Sequence, residues 1–146
     1  MTKLKLIIIT FAVFINFKSL NAQSVEEIIK GRKAMFSENY QNAKKISILL
    51  KSKKIEEAKP FMKKISDNYK KLLDYFPENT KEGFKTEALP SIWENKDEFN
   101  ALMQKASDDM LKLAKAIDTA DDLRAVQKEL MWSNCSACHS RFRAPH

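Results

Sequence analysis

Five residues close to the carboxyl end, Cys135-Ser136-Ala137-Cys138-His139, constrain this chain more than any other stretch. Two thiols separated by two residues occupy neighbouring positions of one helical turn, and a histidine follows at once. This is the C-x-x-C-H pattern by which a c-type haem is attached. The thiols bond covalently to the two vinyl groups on one edge of the porphyrin, and the imidazole is held under the iron as an axial ligand. The chain has two cysteines and two histidines, and three of those four residues fall within five positions, so they read as one site. A thioredoxin-like pair sits beside a βαβ pattern, which this sequence lacks. A closed zinc site wants four ligands, and only His146 remains to join these three. A plain disulfide between Cys135 and Cys138 is the other alternative. The favoured expectation is one haem c per chain, bound covalently, with His139 on the iron.

The first residues read as an export signal. Lys3 and Lys5 precede an apolar run from Leu6 to Ile15, and Leu20-Asn21-Ala22 approximates a small-residue cleavage site. The apolar run is shorter than the roughly twenty residues of a bilayer span, and Asn16 and Lys18 interrupt it, although a retained anchor is the alternative. Residues 1–22 are therefore expected to be a signal peptide and residues 23–146 a single domain, exported to the periplasm. Export suits the haem reading, because c-type attachment is completed outside the cytoplasm.

The formal charge of +7 includes three lysines of the signal, which leaves the remaining 124 residues near +4. Lysines and acids are interspersed, which describes a solvated surface rather than a nucleic-acid footprint. With only Gly31 and Gly83 in the chain, neither a dinucleotide-binding glycine fingerprint nor a phosphate-cradling loop can be written.

Helical periodicity fills the rest. Ser24-Val25-Glu26-Glu27 has the form of a capping box, and Ile28, Arg32, Met35, Phe36, Tyr40, Ala43, Ile46 and Leu50 follow at helical spacing. Gly31 within this stripe either permits close packing or is tolerated. A second stripe runs from Ile55 to Phe76, with Pro60 requiring a late start or a bend. Periodicity fails between Pro77 and Pro90. Ser91-Ile92-Trp93-Glu94 repeats the capping-box form ahead of a third stripe through Phe99, Met103, Met110 and Ile117. A fourth helix opens at Thr119-Ala120-Asp121-Asp122, with Leu123, Val126, Leu130, Asn134, Cys138 and Phe142 expected inward. Four amphipathic helices joined by short, long and short connections predict an all-α, antiparallel four-helix bundle with the haem between facing helices.

With these residues in hand, the chain resembles the cytochrome c-prime family, exported four-helix-bundle haem proteins. The resemblance rests on the C-terminal position of the motif within Cys135-Ser136-Ala137-Cys138-His139-Ser140-Arg141-Phe142-Arg143, on Arg32-Lys33 with an apolar residue four past the arginine, and on Thr86-Glu87-Ala88-Leu89-Pro90-Ser91-Ile92-Trp93. It implies that His139 is the fifth iron ligand, that a first-helix side chain closes the opposite face, and that Thr86 and Glu87 lie along the haem edge. Arg32 and Phe36 are four apart and share a face, so Phe36 would cover the iron while Arg32 reaches a propionate. A phenylalanine cannot ligate, so the iron would be five-coordinate and high-spin. Met35 is the alternative: its thioether would ligate if the helix were turned, since successive residues differ by about 100°. The family also pairs through its first two helices, and the apolar Ile48 and Leu49 permit a homodimer.

Two functions follow. One is electron transfer to redox partner proteins of the periplasm. The other is binding or scavenging of small diatomic gases, nitric oxide or carbon monoxide, at an open ferrous site. Thiol–disulfide exchange by Cys135 and Cys138 is a third, less favoured reading. The chain offers no distal histidine for acid–base work in oxygen–oxygen cleavage, and it is not expected to be an enzyme.

Overall fold

The computed structural model describes residues 23–145, so the expected signal segment and His146 lie outside the described residues. Helix α1 (Val25–Lys51) opens with the capping box read from the sequence. The Glu27 amide donates to Ser24 Oγ at 3.2 Å, and the Ser24 amide donates to the Glu27 carboxylate at 2.8 Å. After the turn at 52–54 comes α2 (Ile55–Leu72), which contains Pro60 in its second turn rather than starting after it. The long connection holds a 3₁₀ turn at Glu78–Thr80 and a bend in which Gly83, Phe84 and Lys85 all have positive φ. A single turn, α3 (Ser91–Glu94), leads into α4 (Lys96–Ala116). The last helix has three parts: α5 (Leu123–Gln127), a π-helical turn at Lys128–Trp132, and α6 (Ser133–Phe142). Asp122 caps its start by accepting from the amides of Arg124 and Ala125.

The architecture is the expected all-α four-helix bundle. Along its sides α1 packs on α2, α2 on α4, and α4 on the last helix. Its apolar residues form two clusters. One gathers Ile46, Met62, Leu113, Ile117 and Met131. The other is aromatic, with Phe76 edge-on to Phe99 at 4.7 Å and Phe99 edge-on to Phe142 at 5.4 Å. Between α2 and α4 the buried Ser66 and Ser107 hydroxyls bond each other at 2.8 Å, so small side chains bring these two helices together.

Three sequence expectations change. Ser91 does not cap a helix: Pro90 precedes it as the cap residue, and the Ser91 hydroxyl donates to the Arg141 carbonyl at 2.8 Å, tying α3 to the end of α6. On α1, Ile29 rather than Ile28 is buried, Asn39 is buried, and Tyr40 is 55 % exposed. On the last helix, Gln127 and Met131 are buried while Val126 and Leu130 are only partly so. The buried positions 127, 131 and 134 are separated by four and three residues, as a 3.6-residue period requires, whereas the expected stripe 126, 130, 134 steps by four each time and drifts off that face. Ile48 is 64 % exposed, whereas Leu49 belongs to the core.

One polar network holds the last helix against α4. The Asp109 carboxylate, 1 % exposed, accepts from Lys105, from Lys112 at 3.0 Å and from Asn134 Nδ2 at 3.0 Å. Burial alone would raise its pKa; the hydrogen bonds from Lys105, Asn134 and Lys112 outweigh that and leave it below the ordinary aspartate value. A carboxyl depressed in the folded state adds stability above its unfolded pKa and loses it as pH falls through the folded value. Asp109→Asn is therefore expected to lower stability at pH 7 by about 1–3 kcal/mol. Urea unfolding across pH checks this, and the gap between the two proteins should shrink below about pH 4.

Candidate functional site

A cavity of about 710 Å³ runs between α1 and the last helix. This is within the range of about 300–1,000 Å³ typical of sites for small molecules and cofactors. Both core clusters contribute to its wall, through Ile65, Met110 and Met131 on one side and Phe76, Phe99 and Phe142 on the other.

The last helix brings Cys135, Cys138 and His139 to that wall. Neither cysteine is in a disulfide. Burial pushes both thiols up, Cys138 to about 11, with the charge of neighbouring Cys135 adding to the effect there. That direction is opposite to the lowered values of exchange-active thiol pairs. The partly buried Tyr69 of α2 lies beside Cys135, and its pKa is raised by burial and by the proximity of the two thiols. His139 is exposed toward the cavity mouth.

On the opposite wall, Phe36 of α1 faces the cavity and meets Phe76 edge-on at 6.4 Å. Met35 packs instead against the aromatic cluster and is not part of the wall. Met110 and Met131 do reach the wall, but from α4 and the last helix, which itself carries His139. Among the described residues, the α1 and α2 side of the cavity therefore presents Phe36, Ser37, Asn39, Tyr40, Ala43, Ile65 and Tyr69 beyond the cations Arg32 and Lys33, with no thioether or imidazole.

Arg32 marks one end. It is 2 % exposed and donates four hydrogen bonds into the long connection. Nη1 reaches the Tyr75 carbonyl at 3.2 Å and Thr80 Oγ1 at 3.0 Å; Nη2 reaches the Thr80 carbonyl at 2.9 Å and Thr86 Oγ1 at 2.7 Å. Its guanidinium carbon also lies 4.6 Å from the Phe76 ring centre. Burial lowers its pKa to about 10, which still leaves it charged. Gly31, the residue before it, is a packing requirement: a Cβ there would stand 2.8 Å from the Tyr75 ring.

Thr86 and Glu87, singled out only through the family resemblance, both line the cavity. Their loop is stitched to the chain just past α6. The Leu89 amide donates to the Phe142 carbonyl at 3.1 Å, and the Ala144 amide donates to the Glu87 carbonyl at 2.8 Å. Lys33, whose Nζ donates to the Lys85 carbonyl at 2.9 Å, and Arg143, paired with Ala88 in a β-bridge, complete a cationic rim at this end. Trp93 is not on the wall; its indole N–H donates to the carbonyls of Phe76 and Pro77, both at 3.1 Å.

A family model described as Cytochrome C' matches residues 27–143. The chain belongs to the cytochrome c′ family. A cytochrome c′ of Rhodopseudomonas palustris is 33 % identical over 144 residues, covering 97 % of this chain and 98 % of that protein. The solved cytochrome c′ of the same organism superposes with a TM-score of 0.71 at 31 % identity, over 84 % of this chain and 98 % of that one. A cytochrome c prime from Shewanella frigidimarina shares the fold, with a TM-score of 0.73 at 23 % identity, over 86 % of this chain and all of that one.

Membership makes this a c-type haem protein, and the site fits the group. The wall is largely apolar, two thiols three residues apart stand beside an imidazole, and cationic side chains gather at one end, where carboxylates would be held. The residues missed from sequence are Asn39, Tyr69 as a neighbour of Cys135, and Thr80 as a partner of Arg32. Arg32→Ala is expected to cost about 2–4 kcal/mol, because Thr80 and Thr86 lose a charged, buried donor. Denaturant unfolding checks the magnitude, and faster amide exchange at Thr80 and Thr86 should accompany it.

Proposed function

We propose that this protein is an exported electron-transfer cytochrome, with one haem c bonded to Cys135 and Cys138 and His139 as the proximal iron ligand. The single observation that supports an open site most directly is the α1 wall, which presents Phe36 and keeps Met35 out of the cavity. The bound haem supplies an iron that changes oxidation state by one electron and, without a sixth protein ligand, binds small molecules.

The chain's own residues do the rest. Phe36 restricts access from the α1 side, the apolar wall excludes bulk water, and Arg32, Lys33 and Arg143 offer positive charge to the carboxylates of the macrocycle. Thr86 and Glu87 close its edge, with Thr86 held in place by Arg32. The N-terminal segment is the export signal in this reading, and the protein works in the periplasm with redox partner proteins. Pairing of two copies belongs to the same proposal, with the exposed Ile48 on α1 available to it. We propose no enzymatic turnover.

A second reading, binding or scavenging of nitric oxide or carbon monoxide, is favoured by the same non-ligating wall. Stopped-flow mixing separates the two: a carrier exchanges electrons rapidly with a second c-type cytochrome, whereas a gas-capture protein exchanges slowly and releases nitric oxide slowly.

Optical spectra of the ferrous protein test the open site. A high-spin spectrum that shifts on adding carbon monoxide is expected; a low-spin spectrum unchanged by the gas would overturn the proposal. Phe36→Met is expected to produce that low-spin, carbon monoxide-insensitive spectrum and a higher midpoint potential, since a thioether ligand raises it. Met35→Leu should leave the spectrum unchanged.

A further inference from the structure

Asn39 lies on the inner face of α1, three residues past Phe36 and seven past Arg32. It is 6 % exposed and forms part of the cavity wall. Its amide is held from one side only. Asn68 of α2 donates both hydrogens of its own amide, one to Glu38 at 2.8 Å and one to Asn39 Oδ1 at 2.9 Å. The carbonyl of Asn39 is thereby turned toward α2, and the trigonal amide directs Nδ2 away from it. That Nδ2 is buried and has no partner within the protein.

Leaving a buried donor unsatisfied costs about 1–3 kcal/mol, and such groups are few in folded proteins. Alanine or leucine would fill this buried position without that cost. Arg32 lies two turns away along α1, about 10 Å. The carboxylate-binding end is thus too far to supply the missing acceptor.

We propose that Asn39 Nδ2 is the hydrogen-bond donor to the outer atom of a small diatomic ligand held in the cavity beside Phe36. The preferred ligand is one whose outer atom is an oxygen bearing partial negative charge. Phe36 limits the size of what enters, and Asn39 holds the ligand by its polar end. This inference rests on the open-site reading above, because a sixth protein ligand would occupy the same space.

The probe is carbon monoxide on the full-length, exported and haem-loaded protein, read by the C–O stretching band in infrared or resonance Raman spectra. A donor at the ligand's oxygen lowers that frequency. Asn39→Leu is expected to move the band to higher wavenumber and to speed nitric oxide release roughly 2- to 10-fold, the worth of one hydrogen bond. Asn39→Ser, which removes the reach of the amide without adding bulk, should move the band the same way if the leucine variant folds poorly. Asn68→Ala breaks the contact between Asn68 and Asn39 while keeping the donor, and should shift the band less than either Asn39 variant. An unmoved band in Asn39→Leu or Asn39→Ser, with carbon monoxide still bound, overturns the role of Asn39 and leaves the open site standing. Failure of the wild type to bind carbon monoxide overturns the open site itself.

Discussion

A guanidinium taken almost wholly out of water organises one end of this molecule. Arg32 retains its charge because the acceptors around it are fixed: two carbonyls and two threonine hydroxyls of the long connection, with the Phe76 ring beneath. The connection between α2 and α3 has only one 3₁₀ turn of regular structure and three consecutive positive-φ residues, and Arg32 supplies four of the hydrogen bonds that hold it against α1, with Lys33 adding another. Thr86 and Glu87 are thereby brought to the cavity, and their loop in turn meets the chain leaving α6. One buried charge thus joins α1, the connection and the helix that carries the thiols.

The other end of the arrangement is held by a carboxylate. Asp109 reaches from α4 to Asn134, the residue before Cys135, and fixes the rotation of the last helix just past its π turn. Bundle packing alone leaves such a rotation loosely determined, because several apolar faces of similar width would serve. A directional hydrogen bond removes that freedom. The two thiols and His139 then share the cavity with Phe36 across it, and the chemistry of the site follows from which side chains these two anchors leave facing each other.

Much of this was legible in the residues themselves. The C-x-x-C-H motif named the cofactor, amphipathic spacing produced four helices, and the interval of four between Arg32 and Phe36 placed both on the cavity side of α1. What escaped was of three physical kinds. Asn39 is polar, so a stripe defined by apolar residues passed over it to Tyr40, which is mostly exposed. A uniform step of four back from Asn134 leads to Leu130 and Val126, but a helix repeats every 3.6 residues, so the buried positions are Met131 and Gln127. The partners of Arg32 lie more than forty residues downstream in a segment without periodicity, where no local pattern announces Thr80. Ser91 and Glu94 have the spacing of a cap, yet Pro90 takes the cap position and the Ser91 hydroxyl is drawn to the Arg141 carbonyl.

The account depends on a macrocycle bonded to two particular sulfurs and seated between α1 and the last helix. Mass spectrometry of the protein exported from a host that matures c-type cytochromes addresses this directly. The intact chain is predicted to carry the added mass of one haem, and the proteolytic fragment containing Cys135 and Cys138 to carry all of it. An intact chain of unmodified mass, with those two cysteines recovered as free thiols or as a disulfide, would contradict it.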